Sequence, residues 1–165
     1  MDSGFSASAR EPEADAREEF SAFDPAADRL WETGAVSNRW RVDAKEILGE
    51  LQTKVTARDL AGLIEFFDDP AILIGTAGDG RTSDGRREYL TAVTTQPAAL
   101  RWDWQETALF YESDEALGFA AFGDVVLTDG AEEVRAPIRA TLFAVRVDSG
   151  WRLRQFHGSI PQAPT

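Results

Sequence analysis

The segment from Leu100 to Ser159 constrains the fold more than any other part of the chain. It contains four long stretches rich in β-branched and aromatic residues, which predict strands. These strands cover residues 100–112, 116–128, 133–148 and 151–159. The turns between them are Ser113-Asp114, Asp129-Gly130 and Ser149-Gly150. Turns this short join strands that run in opposite directions, so the segment predicts an antiparallel meander.

The sequence before this meander has mainly helical periodicity. Helices are predicted over residues 25–32, 40–55, 60–67 and 86–95. Thr56 to Asp59 resembles a capping box in front of the third of these helices. A short buried strand is predicted over 71–75, and residues 81–83 are expected to pair back on it. Helices first and strands afterwards predict an α+β fold, with a curved antiparallel sheet wrapped around the N-terminal helices.

Length and charge limit the domain organisation and the partners. Residues 1–23 are acidic with little periodic hydrophobicity, so we expect a mobile tail there and a single domain over 24–165. The formal net charge of −12 disfavours binding to nucleic acid and to an anionic membrane surface. No apolar run is long enough to span a bilayer, and the first residues do not resemble a secretory signal. We therefore expect a soluble cytoplasmic protein.

The last predicted strand carries the pattern that suggests a cavity. Strict alternation assigns Trp151 and Leu153 to the same side as Gln155, His157 and Ser159. This side begins apolar and ends polar, as the lining of a cavity would. The alternative is a strand that runs out into solvent at its end. The pattern makes Gln155 and Ser159 candidate pocket residues.

Four more side chains are candidates for the pocket because of their chemistry. Trp102 and Trp104 share one side of a strand, where they would either flank a flat ligand or fill the core. Arg139 would bind an anionic group if its face lined the cavity, and would pair with surface carboxylates if it faced outward. Tyr111 would donate a hydrogen bond in the pocket or pack at a strand end.

His157 is the single histidine of the chain and the candidate general acid or base. Ser159 and Asp124 are its candidate orienting partners. The alternative is a histidine that is hydrogen-bonded at a pocket rim or in the core. One histidine and no cysteine cannot form a usual zinc site, and no metal or other cofactor is predicted. The glycine-rich stretch 75–80 lacks the Gly-Lys-Ser/Thr ending of a phosphate loop, and predicts a hairpin turn.

Two strings in the sequence carry a family resemblance. Residues 66–76, FFDDPAILIGT, followed by Asp84-Gly85-Arg86 at the start of a helix, resemble the helix-to-hairpin segment of SnoaL-like domains. Residues 150–159, GWRLRQFHGS, resemble their last strand, with a Gly-Trp start and a His-x-Ser end. SnoaL-like domains belong to the nuclear transport factor 2-like superfamily, and the resemblance covers roughly residues 40 to 160.

The resemblance implies a cone-shaped α+β barrel with an open, mostly apolar cavity, often in a homodimer that packs through its sheet. It carries over His157, which matches the family's histidine near the end of the last strand, and Ser159 with it. The superfamily includes isomerases, cyclases, dehydratases, epoxide hydrolases and many non-catalytic binding domains, so the fold alone does not give the function. The catalytic sets of the isomerases, dehydratases and epoxide hydrolases have no match in this sequence.

Three hypotheses follow for the function. The first is a protein that binds a small hydrophobic molecule, is dimeric and has no assignable catalysis. The second is an isomerase-, cyclase- or dehydratase-type enzyme that acts on a hydrophobic carbonyl compound with His157 as general acid or base. The third is a dimerisation or partner-binding module whose cavity is filled by its own side chains.

Overall fold

A computed structural model of the protein describes residues 39–76 and 78–161. The predicted acidic tail over 1–23 and the predicted helix over 25–32 lie outside these residues. So does the start of the predicted domain over 24–165. No helix among the described residues is long and apolar enough to cross a membrane.

Three helices are described at the positions of predicted helices, but the second ends before Phe67 and the third begins at Ser83 rather than at residue 86. They are α1 (Arg39–Thr56), α2 (Leu60–Phe66) and α3 (Ser83–Thr95). The predicted capping box is wrong in one respect: Thr56 still belongs to α1, and Asp59 caps α2 by accepting a hydrogen bond from the Gly62 amide at 2.9 Å. Thr82 caps α3 in the same way through the Gly85 amide at 3.1 Å.

Six strands form one sheet. They are β1 (Phe67–Gly75), β2 (Gly78–Gly80), β3 (Ala99–Glu112), β4 (Ala116–Asp129), β5 (Glu132–Val147) and β6 (Gly150–Ser159). Their order in the sheet is β2-β1-β6-β5-β4-β3. The four long strands form the predicted meander. The second short strand pairs back on β1 from residues 78–80 rather than from 81–83.

The sheet is mixed rather than purely antiparallel, because β1 pairs with β6 in parallel. No short turn constrains this pair, since almost the whole domain separates the two strands in sequence. β1 therefore lies between the last strand and the edge strand β2. The predicted α+β class and the curved sheet around the helices are confirmed.

One face of the sheet packs on the helices, and we call it the inner face; the opposite face is the outer face. The inner face and the helices share one apolar core. Its members include Ile47, Leu51, Leu63, Leu73, Phe119, Leu142 and Leu153. Burial of such side chains is the main favourable term for the fold.

Extra residues in the strands change which side chains reach the inner face. In β6, Leu153 pairs with Ala144 while Gln155 pairs with Phe143, so Arg154 is an extra residue. Because a bulge of one residue inverts the alternation beyond it, the residues after Arg154 point to the other side. The expectation that Trp151, Leu153 and the polar end of β6 share one side is therefore wrong.

The edge strand β3 contains two similar shifts. Gln105 is the extra residue between the pairs formed by Trp104 and Glu106, and Phe110 is the extra residue between those formed by Leu109 and Tyr111. Trp102 and Trp104 remain on the inner face before the first shift. Tyr111 lies on the outer face after the second one.

Candidate functional site

Trp102 lines two cavities on the inner side of the sheet, and the first is a small one inside the core. This inner cavity has a volume of about 80 Å³. Its lining is apolar apart from Thr76 and Tyr89. The apolar lining comes from Leu51, Val55, Leu63, Phe67, Leu73, Leu90, Val93, Leu100, Trp102, Val125, Ile138, Phe156 and Gly158. Ligand sites for drug-sized molecules are several times larger.

Tyr89 is the titratable side chain of this inner cavity. Burial raises the pKa of its phenol, because the charged form would lose hydration. The hydroxyl lies close against Gly75, where a Cβ would come within 1.7 Å of the oxygen. Gly75 is thus needed for the close approach of this side chain, and Tyr89 stays neutral near physiological pH.

The second cavity is a groove between α1 and the edge strand β3. Its volume is about 510 Å³, which is within the usual range for small-molecule sites. Its described lining consists of Arg41, Lys45, Leu48, Gly49, Gln52, Trp102, Trp104, Gln105, Glu106 and Thr107. The helical part of this lining forms one stripe along α1.

Gln52 fixes one end of the groove. Its side-chain oxygen accepts a hydrogen bond from the backbone amide of Trp102 at 2.7 Å. Its side-chain nitrogen donates to the Leu100 carbonyl at 3.4 Å and to the Thr56 hydroxyl at 2.7 Å. The bonds to Trp102 and Leu100 satisfy backbone groups that an edge strand would otherwise leave without a partner. They also hold β3 against the helix where the two tryptophans begin.

The two tryptophans form a stacked wall. The rings of Trp102 and Trp104 lie 6.0 Å apart with an interplanar angle of 22°, and Trp102 also packs on Phe156 at 6.3 Å. Trp102 lines both cavities and so separates them. The indole Nε1 of Trp104 is buried and has no hydrogen-bond partner in the described part of the chain.

A buried donor without a partner is costly, at about 1–3 kcal/mol. Most buried polar groups in folded proteins are paired, so this N–H calls for an explanation. Its ring belongs to the groove lining, and the second side-chain torsion of tryptophan is soft. The buried N–H does not face the open groove, so it would reach a bound acceptor only if the indole turned about this torsion.

Two cations stand along the helical wall of the groove. Arg41 and Lys45 are one helical turn apart, and both side chains are exposed. The Arg41 guanidinium lies 4.9 Å from the Trp40 ring centre. Gly49 continues the same stripe, and a Cβ built there would meet nothing within 4 Å.

Comparison with known proteins identifies the family. A profile of the SnoaL-like domain matches residues 44–163. The chain belongs to the SnoaL-like domain family. The predicted resemblance to this family is thereby confirmed. No curated protein matches the chain.

Solved structures share the SnoaL-like fold at low sequence identity. A candidate dehydratase of the nuclear transport factor 2-like family from Streptomyces avermitilis has a TM-score of 0.65 at 11% identity, covering 73% of this chain and 95% of that one. A candidate aromatic ring hydroxylase from Novosphingobium aromaticivorans has a TM-score of 0.65 at 13% identity, covering 77% and 92%. A Nostoc punctiforme protein of unknown function with a cystatin-like fold has a TM-score of 0.60 at 10% identity, covering 74% and 92%. These likenesses confirm the predicted fold.

Within this SnoaL-like domain, the predicted site residues divide between the two faces of the sheet. Trp102 and Trp104 come together in the groove. The other five lie on the outer face and belong to neither of the two cavities described above. They are Tyr111, Arg139, Gln155, His157 and Ser159.

The outer-face residues have their own partners. The exposed His157 pairs in register with Thr141, and Arg139 donates a hydrogen bond to the Ser159 hydroxyl at 3.2 Å. Asp124, considered above as a partner for His157, instead binds Arg135 at 3.1 Å. Gln155, His157 and Ser159 lie on the outer face because the bulge at Arg154 inverts the side on which the end of β6 is displayed.

Sequence reasoning missed the helical wall of the groove. None of Arg41, Lys45, Gly49 and Gln52 is a candidate site residue in the sequence analysis. The signal that marks them is a glycine within a polar helical stripe, at a position where alanine would favour the helix more. Among the described residues, no group of three or more His, Asp or Glu side chains is close enough to hold a metal ion.

Proposed function

We propose that this SnoaL-like protein binds a small, planar, hydrophobic molecule in the groove between α1 and β3. The observation that carries the proposal is the Trp104 indole N–H, which is buried without a partner among the described residues, on a side chain that lines a groove of about 510 Å³. A carbonyl or similar acceptor on the molecule would accept this hydrogen bond, and its flat body would pack along the tryptophan wall. Gly49 supports the proposal, because the missing side chain leaves space on the opposite wall.

The proposal contains no catalytic step. The described residues of the groove include no histidine and no tyrosine, and their one carboxylate belongs to Glu106. The structural neighbours carry the names of different reactions or of none, and the fold does not choose between them. The acid–base hypothesis for His157 gains no support, because its side chain is exposed on the outer face.

A neutral planar ketone tests the proposed binding. We expect 2-acetylnaphthalene to shift one of the indole N–H signals of the five tryptophans downfield in a proton–nitrogen NMR spectrum. That signal should be the one missing from the Trp104→Phe variant. This variant keeps an aromatic ring but loses the donor, so it should bind the ketone about fivefold more weakly by calorimetry.

The matched control is Trp151→Phe, which alters a buried tryptophan outside both cavities. It should leave the affinity unchanged within about twofold. Equal weakening in both variants, or no shift of the Trp104 signal at saturation, would contradict the proposal. Far-UV circular dichroism of each variant checks that it is folded.

We also propose that the protein forms a homodimer through the outer face of the sheet. Phe110, Tyr111 and Phe122 are about half exposed there, at 51%, 47% and 40%. The Phe110 ring lies across Gly118, and the Tyr111 ring packs on Phe143 at 5.6 Å. We call Phe110, Tyr111 and Phe122 the aromatic patch, and exposed aromatic side chains of this kind are typical of an interface.

Sedimentation of two variants tests the dimer. Phe122→Lys should shift the protein to a monomer, because the two-fold axis brings like charges into an apolar interface. Val134→Lys is the control, since Val134 is an exposed apolar residue, at 62%, outside the aromatic patch. A wild-type protein that sediments as a monomer at all concentrations would overturn the dimer and leave the groove proposal intact.

A further inference from the structure

We infer that the ligand of the groove carries an anionic group such as a carboxylate, which is held by Lys45 and Arg41. This inference rests on the proposed function and specifies the chemical class of the ligand. The flat part of the molecule would lie against Trp102 and Trp104, and its acid would lie toward the N-terminal part of α1. The class is therefore a planar aromatic acid.

The basic residues of α1 differ in whether they have a carboxylate partner. The helix carries four of them, and the two outside the groove have carboxylate partners: Arg39 with Asp43 at 3.8 Å and Lys54 with Glu50 at 3.3 Å. Arg41 and Lys45 line the groove and make no ion pair with any described residue. In a chain with a net charge of −12, two adjacent cations without a carboxylate partner are unexpected.

Arg41 and Lys45 also lie at a suitable position along the groove. Gln52 is fixed on Trp102 at one end, and Lys45 is seven residues earlier on the same helix, which corresponds to about 10 Å along its axis. Arg41 lies about 6 Å further in the same direction. In the proposed arrangement the aromatic body lies along this length, from the tryptophan wall toward Lys45. An acid at its far end would meet both cations.

Glu106 is the opposing charge that the inference must accommodate. It lines the groove at the β3 side, and it pairs in register with Phe122, a residue of the outer face. It makes no ion pair with Lys45 or Arg41 among the described contacts. Glu106 therefore does not neutralise the two cations, although it would weakly repel a bound anion.

Two matched probes separate the charge from the aromatic body. 2-Naphthoate carries a carboxylate, and 2-naphthamide has nearly the same shape without the charge. At low ionic strength we expect the wild-type protein to bind the naphthoate about fivefold more tightly by calorimetry. This advantage should shrink as sodium chloride is added, because salt screens exposed charges.

Four variants locate the charge effect. Lys45→Met and Arg41→Met keep much of each apolar stem, and each should weaken naphthoate binding about threefold without changing naphthamide binding. Arg39→Met and Lys54→Met are the controls from the same helix, and should change neither affinity by more than about twofold. Glu106→Gln should strengthen naphthoate binding slightly.

The outcomes distinguish the two proposals. If the amide binds and shifts the Trp104 signal but the naphthoate binds no more tightly, the anionic class is wrong and the groove proposal stands. If Lys45→Met weakens both probes equally, the charge is not what recognises the acid, and the inference is also wrong. If neither probe moves the Trp104 signal at saturation, the proposed function itself fails.

Discussion

The inner cavity and the groove share one residue, Trp102, yet their walls have different consequences for the fold. The inner cavity, at about 80 Å³, is lined largely by core residues such as Leu63 and Leu73, which are almost fully buried. The groove, at about 510 Å³, is lined largely by exposed or half-buried residues such as Lys45 and Gln52. We expect the first wall to determine stability and propose that the second binds a ligand, so substitutions should separate the two.

The largest expected effect comes from the wall of the inner cavity. Leu63→Ala removes a side chain with no exposed surface, and should lower the free energy of unfolding by about 3–5 kcal/mol, because it enlarges a void that the core cannot fill. Urea denaturation measures this loss. The control is Val42→Ala, at a residue with 65% exposure, which should change the free energy by less than about 0.5 kcal/mol. A loss below about 1 kcal/mol for Leu63→Ala would show that the wall of the inner cavity does not determine the stability of the fold.

A smaller change in the free energy of unfolding, of opposite sign, is expected for a residue of the groove. Gly49→Ala should raise the free energy of unfolding by about 0.5–1 kcal/mol, because a Cβ meets nothing there and alanine favours the helix. Thermal unfolding gives the measurement. Gly62→Ala in α2 is the contrasting control: its Cβ would come within 2.1 Å of the capping Asp59 carboxylate, so it should destabilise the protein. If Gly49→Ala is also destabilising, the space assigned to the groove at this residue is occupied.

The smallest expected effect on stability comes from Asp103, on the outer side of β3. Asp103, between Trp102 and Trp104 in sequence, bonds Arg101 at 2.8 Å and Arg135 of β5 at 2.9 Å. The Arg101 guanidinium, with a smaller contribution from Arg135, holds the pKa of the Asp103 carboxyl below its usual value. These charges are exposed, so their contribution is weak and sensitive to salt.

The pH dependence follows from the direction of this shift. A carboxyl whose pKa is lowered by folding stabilises the protein above its unfolded pKa, about 3.9, and this contribution disappears as the pH falls through the folded value. Asp103→Asn should therefore melt slightly below the wild type at pH 6, and the two should converge near pH 2. A gap that stays constant over this range would show that the charge of Asp103 is not responsible.

Local patterns predicted the elements well. Long helical periodicity between Trp40 and Val55 gave α1 almost to its ends, and the short turns gave the four strands of the meander. Periodicity and turn chemistry act over a few residues, so they can be interpreted without knowing the partner strand. The parallel pairing of β1 with β6 has no such signal, because the two strands lie far apart in sequence.

The residues of the proposed site were predicted only in part, and the strands β3 and β6 show why. The Trp102–Trp104 pair precedes the first shift in β3, so simple alternation assigned both residues to one face, as the structure does. His157 and Ser159 follow the shift at Arg154, so the same rule assigned them to the wrong side of Leu153. A one-residue bulge leaves no clear trace in composition, but it inverts every side chain beyond it.

By itself, the sequence determined the class of the fold, the order of the described elements, the bounds of α1 and of the four meander strands to within one residue, and the family resemblance. Those properties follow from hydrophobic periodicity, turn residues and local strings. Only the tertiary structure decided which face each side chain reaches, that Gln52 bonds the edge strand, and that two tryptophans and a helical stripe enclose a groove. The face that a side chain reaches, and the residues that enclose a groove, depend on the register between strands and helices far apart in sequence. Register is set by bulges and packing rather than by local pattern.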